Sequence, residues 1–104
     1  MSEIFKALAD PTRRRVLQLL RERPMTAGEL AERFPFSKAT MSAHFAVLRE
    51  ADLVASDKRG TTITYSLKLS VLEDGLLAFA ETFGIGAGRA PAAATTVTPR
   101  EEKG

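Results

Sequence analysis

Apolar residues recur at helical spacing in the middle of the chain, and the pattern predicts two short helices joined by a tight turn. Thr26 and Glu29 have the spacing of a capping box, in which each side chain satisfies a free backbone donor of the other residue. The apolar face of this first helix comprises Leu30, Ala31 and Phe34. We expect the helix to end at Phe34-Pro35, because a proline disfavours helical geometry in the residue before it. The predicted turn is Pro35-Phe36.

The second helix is predicted to begin after Ser37, which can act as its N-cap. Its buried positions, at i, i+4 and i+7, are Met41, Phe45 and Leu48. All residues between these positions are expected to face outward, including Lys38, Thr40, Ala43, His44 and Val47. Small or hydrogen-bonding side chains near a helix N-terminus are typical of a recognition helix that contacts DNA. Two amphipathic helices also occur in many all-helical domains, so both interpretations remain open at this point.

The next segment predicts a β-hairpin. Residues 53–56 form a plausible first strand, and residues 61–69 form a second strand in which Ile63, Tyr65, Leu67 and Leu69 alternate. The turn between them is Asp57-Lys58-Arg59-Gly60, with the glycine where a positive φ is expected. A hairpin that follows a recognition helix is a wing. Lys58 and Arg59 would lie over the phosphate backbone or an adjacent minor groove, although basic hairpin tips also serve only solubility.

Two more helices are predicted in the N-terminal part. Ser2 caps the first helix, and Asp10 caps the second, with Pro11 at its favoured first position. The expected core residues of the second helix are Val16, Leu17, Leu19 and Leu20. Arg13, Arg14 and Arg15 either contact phosphates or form a solvated face in which one arginine pairs with an acidic residue. Successive helical residues point about 100° apart and cannot all face DNA, so we select Arg14 as the DNA contact.

Beyond the hairpin, Ser70 is predicted to cap a last helix with a wide apolar stripe. This stripe exceeds what a terminal helix of so small a domain can expose, so the helix either folds back into the core or packs on a second copy. The first helix has a similar apolar surplus, which favours an isologous dimer. The predicted dimer interface comprises Ile4, Phe5, Leu8, Leu72, Leu76, Phe79, Ala80 and Phe83, with Leu77 widening the stripe. Such a dimer would place two recognition helices about 34–36 Å apart, on successive major grooves.

Composition agrees with one small domain over residues 1–84. The 104 residues are 44% hydrophobic and contain no apolar run long enough to span a membrane and no basic signal-peptide region, so a cytoplasmic location is expected. The net charge of +2 is unevenly distributed, with six basic and three acidic residues in 33–68 and three acidic residues alone in 70–85. Residues 85–104 are rich in Gly, Ala, Pro and Thr and are predicted to form a disordered tail.

Candidate residues for chemistry are few. The chain has no cysteine, which excludes thiolate metal sites, disulfides and thiol redox switches. His44 is the one histidine, and a structural zinc site needs four ligands. It is interpreted as a base or phosphate contact, with a partly buried capping or packing residue as the alternative. No glycine-rich phosphate loop and no nucleophile with a base is present, so we predict neither an enzyme nor a cofactor.

Three segments carry a family resemblance over about residues 2–83: IFKALADPTRRRVLQLL, MTAGELAERFPFSKATMSAHFAVLREADLV and KRGTTITYSL. They resemble the ArsR family of winged helix-turn-helix repressors, and MTAGELA and SVLED are most similar to its SdpR-like branch of autorepressors paired with a membrane immunity protein. The resemblance implies a mainly helical α+β fold of order α-α-α-α-β-β-α. It also implies a cytoplasmic homodimeric repressor, associated with the bacterial nucleoid when it binds an operator of twofold symmetry.

The resemblance also bears on metal sensing. Metal-sensing members carry a C-x-C pair on the first helix of the DNA-binding element, and the corresponding positions here are Thr26 and Gly28, neither of which is a metal ligand of that kind. Other members bind zinc through Asp, His and Glu on the last helix, which here offers Glu73, Asp74 and Glu81 without a histidine. We therefore expect no response to zinc, arsenite or oxidants. Repression could instead be relieved by a membrane or protein partner.

Two functional hypotheses follow. The first is a dimeric repressor of its own or an adjacent operon, with residues 37–51 in the major groove and residues 57–61 of the wing on the backbone or minor groove. Its candidate DNA-binding residues are Ser37, Lys38, Thr40, Ser42, Ala43, His44, Lys58, Arg59, Thr61 and Arg14. The second hypothesis is a winged-helix protein-interaction module that does not bind DNA. The small exposed side chains of Ala43 and Val47 would suit that alternative.

Overall fold

The computed structural model describes residues 2–85, with side chains from Glu3 onward. Its elements in chain order are α1 (Ser2–Leu8), α2 (Pro11–Glu22), β1 (Met25–Thr26), α3 (Ala27–Ala31), α4 (Lys38–Glu50), β2 (Val54–Arg59), β3 (Thr62–Leu67) and α5 (Leu69–Thr82). The chain divides after Leu72 into two compact units, which are described separately. The predicted tail lies outside the described residues, except for its first residue, Ile85.

The start of α2 differs in detail from the prediction. Pro11 occupies the first turn, and Asp10 is the N-cap residue with extended backbone, as expected. The Asp10 side chain, however, makes no capping hydrogen bond, so the prediction that it caps the helix is wrong. Its backbone carbonyl accepts the Arg14 N–H at 3.1 Å instead. The four predicted core residues of α2 are all buried.

The capping box at α3 is confirmed. The Glu29 N–H donates to Thr26 Oγ1 at 3.0 Å, and the Thr26 N–H donates to Glu29 Oε1 at 2.9 Å. The helix ends at Ala31, before the predicted end at Phe34. The N–H groups of Arg33 and Phe34 donate to carbonyls three residues back, which tightens the last turn to 3₁₀ geometry. The connection to α4 is therefore longer than the predicted Pro35-Phe36 turn.

The wing is confirmed as an antiparallel hairpin of β2 and β3, but its turn is shorter than predicted. The strands remain paired as far as Arg59 and Thr62, which leaves Gly60 and Thr61 as a two-residue turn. Gly60 has φ of +61°, a conformation that the tight hairpin turn requires and that glycine adopts without strain. The prediction of a turn over residues 57–60 is wrong because three of these residues continue the strand.

A third strand was not predicted. β1 pairs with β3, with Met25 opposite Tyr65, and gives a sheet of order β1-β3-β2. Two residues are too few to display the alternation by which a strand is recognised. At the other end of the sheet β3 stops at Leu67, and Leu69 begins α5. The expected alternation therefore holds for the buried Tyr65 and the half-buried Ile63 and Leu67, and it fails for Leu69.

The core of the first unit lies between the helices and the sheet. Phe45 of α4 packs against Tyr65 of β3, with ring centroids 4.9 Å apart. Ile4 is 9% exposed and belongs to this core, and Leu8 and Leu72 pack against it. Part of the apolar surplus assigned to a dimer interface is thus used within one chain, because α1 contacts both α2 and α4. Ile4, predicted at the dimer interface, packs in the core of its own chain.

The C-terminal unit contains the remainder of α5. The helix begins at Leu69, so Ser70 lies inside it rather than capping it, and Phe83 follows its last residue, Thr82. The Phe79 and Phe83 rings meet edge to face with centroids 5.0 Å apart. Several large apolar side chains here are exposed: Leu76, Leu77, Phe79 and Phe83. None of the helices in the described part of the chain is both long and apolar enough to cross a membrane.

Candidate DNA-binding surface

The N-terminus of α4 is organised by Ser37 and Thr40. Ser37 Oγ accepts the Thr40 N–H at 3.1 Å, which confirms Ser37 as the N-cap. The two hydroxyl oxygens are also hydrogen-bonded to each other at 3.0 Å. Each hydroxyl carries one proton, so this bond uses one of the two and leaves the other available as a donor.

The two faces of α4 differ as predicted at most positions. Met41, Phe45 and Leu48 are buried and anchor the helix, whereas Lys38, Thr40, Ser42 and Ala43 are exposed. The expectation that all intervening residues face outward is wrong for two of them. Val47 packs against the core, and the His44 side chain is only 17% exposed. Exposed polar residues therefore lie in the first turns of the helix, at Lys38, Thr40 and Ser42, and again at its end, at Arg49 and Glu50.

This N-terminal surface suits an anion. The first turn of α4 contains no acidic residue, and Lys38 is its first residue. Free N–H groups and the helix dipole favour a phosphate at such an end. A groove of about 210 Å³ adjoins it, lined by Ala27, Gly28, Ala31, Lys38 and Ser42. The small side chains of α3 therefore leave Lys38 and Ser42 accessible.

The wing presents its basic residues to solvent. Lys58 and Arg59 are exposed near the end of β2, and Thr61 is exposed in the turn. Arg59 Nε donates to Asp57 Oδ2 at 3.0 Å, with the two side chains 84% and 62% exposed. A pair so exposed is held weakly, and the guanidinium keeps further N–H donors for a phosphate.

His44 is tied to α2, a contact that sequence reasoning missed. Arg13 Nη1 lies 3.1 Å from His44 Nδ1, and Asp10 Oδ2 lies 3.9 Å from the same atom. This placement agrees with the alternative of a partly buried histidine. Arg13 also donates from Nε to the Ala7 carbonyl at 2.9 Å and from Nη2 to the Lys6 carbonyl at 2.8 Å. Arg13 therefore joins the C-terminus of α1 to α4.

The neighbouring arginines are oriented differently. Arg14 is exposed and donates from Nη1 to the Leu8 carbonyl at 2.7 Å. Arg15 is exposed and donates to Gln18 Oε1 at 3.2 Å. Because Arg13 points inward and the other two outward, the three side chains do not share one face. Arg14 keeps free N–H donors, since only one of its guanidinium nitrogens donates to another described residue.

The comparisons with known proteins agree with this geometry. A family profile described as a helix-turn-helix domain matches residues 8–57. The chain is 43% identical over 76 residues to the transcriptional repressor SdpR of Bacillus subtilis, which covers 73% of this chain and 84% of that protein. A crystal structure of an ArsR family transcriptional regulator superposes with a TM-score of 0.73 at 32% identity, over 79% of this chain and 90% of that one. The chain belongs to the ArsR family.

A repressor of an arsenical resistance operon is also among the relatives of the chain. The chain is 37% identical over 73 residues to the arsenical resistance operon repressor of Staphylococcus xylosus, with 70% of each chain covered. Both of these relatives are named as repressors, and the helix-turn-helix profile matches the present chain. This ArsR family chain is accordingly a DNA-binding transcriptional regulator, with α3 and α4 as its helix-turn-helix and β2 and β3 as its wing.

Proposed function

We propose that the chain is a dimeric, sequence-specific repressor of its own or an adjacent operon, acting in the cytoplasm. The observation that carries this proposal is the exposed polar N-terminal half of α4 above three buried anchors, Met41, Phe45 and Leu48. A helix anchored on one side can enter a major groove with its side chains held in fixed positions. The exposed wing beside it supplies positive charge for the phosphate backbone.

We divide the proposed DNA contacts into those that read base edges and give specificity and those that bind phosphates and give affinity. We assign base-edge contacts to Lys38, Thr40 and Ala43, which are exposed on α4, and to the partly buried His44. The spare hydroxyl proton of the Ser37–Thr40 pair, together with Ser42, suits phosphate oxygens. We assign the charged contacts with the DNA phosphate backbone to Lys58, Arg59 and Arg14. Thr61 at the wing turn would add a neutral hydrogen-bond donor.

We also propose that two copies of the chain form a dimer through exposed apolar side chains. Leu76, Phe79 and Phe83 are large, apolar and exposed, which is unusual for a surface that faces only water. We assign them, with Phe5 of the first helix, to an interface with a second copy. Ala80 and the partly buried Leu8 and Leu72 would contribute its margins. A twofold dimer requires an operator of twofold symmetry with half-sites about one helical turn apart.

Fluorescence anisotropy with short duplexes that tile the region upstream of the chain's own coding sequence tests the proposal. We expect one duplex to bind at least about 10³-fold more tightly than a scrambled duplex of equal composition at physiological salt. The affinity should fall steeply as salt is raised, because phosphate contacts release counterions. Equal affinity for all duplexes, including the scrambled one and those of the adjacent operons, would contradict a sequence-specific repressor.

A further inference from the structure

The contact between Arg13 and His44 determines which ring nitrogen carries the proton. Arg13 Nη1 and His44 Nδ1 are 3.1 Å apart, within hydrogen-bond distance. A guanidinium can only donate, so Nδ1 must accept and cannot itself be protonated. In the neutral ring the proton then resides on Nε2.

The position of Arg13 is set independently of His44. Its Nε and Nη2 donate to the Ala7 and Lys6 carbonyls at 2.9 and 2.8 Å, at the C-terminal end of α1. Three donors of one rigid, planar group are thus used in three directions. α1 holds the guanidinium in place, and the guanidinium in turn selects the state of the histidine on α4.

Asp10 is the competing partner for the same nitrogen. Within the described residues, its Oδ2 is the one buried side-chain nitrogen or oxygen atom without a hydrogen bond. It lies 3.9 Å from His44 Nδ1, beyond hydrogen-bond distance. A proton on Nδ1 would be directed to this carboxylate, so the two neighbours favour opposite tautomers. Arg13 lies closer to Nδ1 than Asp10 does, at 3.1 Å against 3.9 Å, so the tautomer that accepts from Arg13 is favoured.

Nε2 of His44 makes no hydrogen bond to another described residue, and the His44 side chain is 17% exposed. An N–H in this position needs an acceptor, and water or DNA can supply one.

We infer that Arg13 is a positioning residue that fixes His44 as the Nε2–H tautomer and so makes it a hydrogen-bond donor to an acceptor atom on DNA. The inference rests on the proposed function for its last step. The acceptor is a phosphate oxygen or an acceptor on a purine edge in the major groove. The N-terminal helices, although outside the helix-turn-helix, thereby take part in DNA recognition through one side chain.

The tautomer can be measured on the full wild-type chain without DNA. His44 is the one histidine, so long-range ¹H–¹⁵N correlation of uniformly labelled protein gives a single pair of ring nitrogens. At a pH where the ring is neutral, we expect Nδ1 to have the shift of an unprotonated nitrogen and Nε2 that of a protonated one. The reverse pattern, or a mixture of both, overturns the inference. This result does not depend on whether the chain binds a specific operator.

A double-mutant cycle tests the step to DNA, with a duplex from the chain's own upstream region as the probe. Arg13→Gln should weaken binding about tenfold, the loss expected for one hydrogen bond. Arg15→Gln removes the same charge from an exposed position on the same helix and should change binding less than about twofold. In a His44→Ala background the Arg13→Gln effect should disappear. A full effect in that background would overturn the inference, because Arg13 would then act without His44.

Discussion

Thr26 and Glu29 determine where α3 begins. The Thr26 side chain accepts the Glu29 backbone N–H, and the Glu29 side chain accepts the Thr26 backbone N–H. Two backbone donors that the start of a helix leaves free are thereby satisfied locally. The helix has only five residues, too few to be stable without such help. The capping box thus stabilises the helix that, through Ala27, Gly28 and Ala31, lines the groove beside Lys38.

Thr26→Ala should lower the free energy of unfolding by about 1 kcal/mol, the usual effect of removing an N-cap. Thr61→Ala is the matched control, since Thr61 is exposed in the wing turn and its loss should change stability by less than about 0.5 kcal/mol. Urea denaturation followed by circular dichroism measures both. Equal stability of the two variants would show that the capping box does not stabilise this helix.

The capping box also predicts a pH dependence. The Thr26 backbone N–H, and then the nearby Arg23, hold the pKa of Glu29 below its usual value of 4.5. A lowered pKa adds stability that is complete above the ordinary pKa and is lost as the pH falls through the lowered one. The stability difference between wild type and Glu29→Gln should therefore be present at pH 7 and shrink below about pH 4.5. A difference that stays constant from pH 7 to pH 3 would contradict this account.

The capping residues and His44 show which contacts sequence alone can predict. The capping box and the Ser37 cap act over three residues, so local spacing was sufficient to find them. The contact of Arg13 with His44 joins residues 31 apart in sequence. Nothing in either segment indicates the other, because that contact is created when α1, α2 and α4 pack together.

At the scale of the elements, the geometry of the wing determines which of its charged side chains pair with each other. Its two-residue turn at Gly60-Thr61 keeps Asp57, Lys58 and Arg59 in a paired strand, so these side chains project alternately from a regular ladder. Asp57 and Arg59 consequently lie on the same side and form an exposed ion pair. Part of the positive charge of the wing is neutralised within the free protein.

Asp57→Asn should strengthen binding to specific and random duplexes alike, by about two- to fourfold at low salt. The substitution frees Arg59 and removes a negative charge close to DNA phosphates. Asp52→Asn is the matched control, since it removes the same charge and frees Lys68, its partner at 2.7 Å, outside the wing. Binding measured at two salt concentrations checks both variants. A gain for Asp52→Asn as large as that for Asp57→Asn would argue against a specific role of the wing.

Element boundaries were less predictable than the elements themselves. α4 was found from its apolar period, because it buries Met41, Phe45 and Leu48 on one face, and the hairpin was found from the alternation of Ile63, Tyr65 and Leu67 and from its glycine turn. β1 was missed since two residues carry no period, and the end of α3 was misplaced because Arg33 and Phe34 continue the chain in 3₁₀ turns. In the candidate site, the helical period that identifies the buried residues of α4 also identifies the exposed residues between them.

For the whole molecule, dimerisation can be tested apart from DNA binding. Leu76→Glu places a charge on an apolar side chain that is 45% exposed, so the chain should still fold while association is lost. Gln18→Glu adds the same charge at an exposed position of α2 and should leave the assembly unchanged. Sedimentation equilibrium should give the mass of two chains for wild type and control, and of one chain for Leu76→Glu. A wild-type monomer at all concentrations would exclude the dimer.

We propose that α4 supplies sequence specificity and that the wing supplies general affinity. The decisive measurement is the binding of Thr40→Ala and Arg59→Ala to the preferred upstream duplex and to a scrambled duplex over a range of salt concentrations. Thr40→Ala should reduce the preference for the specific duplex about tenfold, and Arg59→Ala should weaken both duplexes equally and lower the salt slope by about one. Equal loss of preference in both variants would contradict the assignment of these two roles.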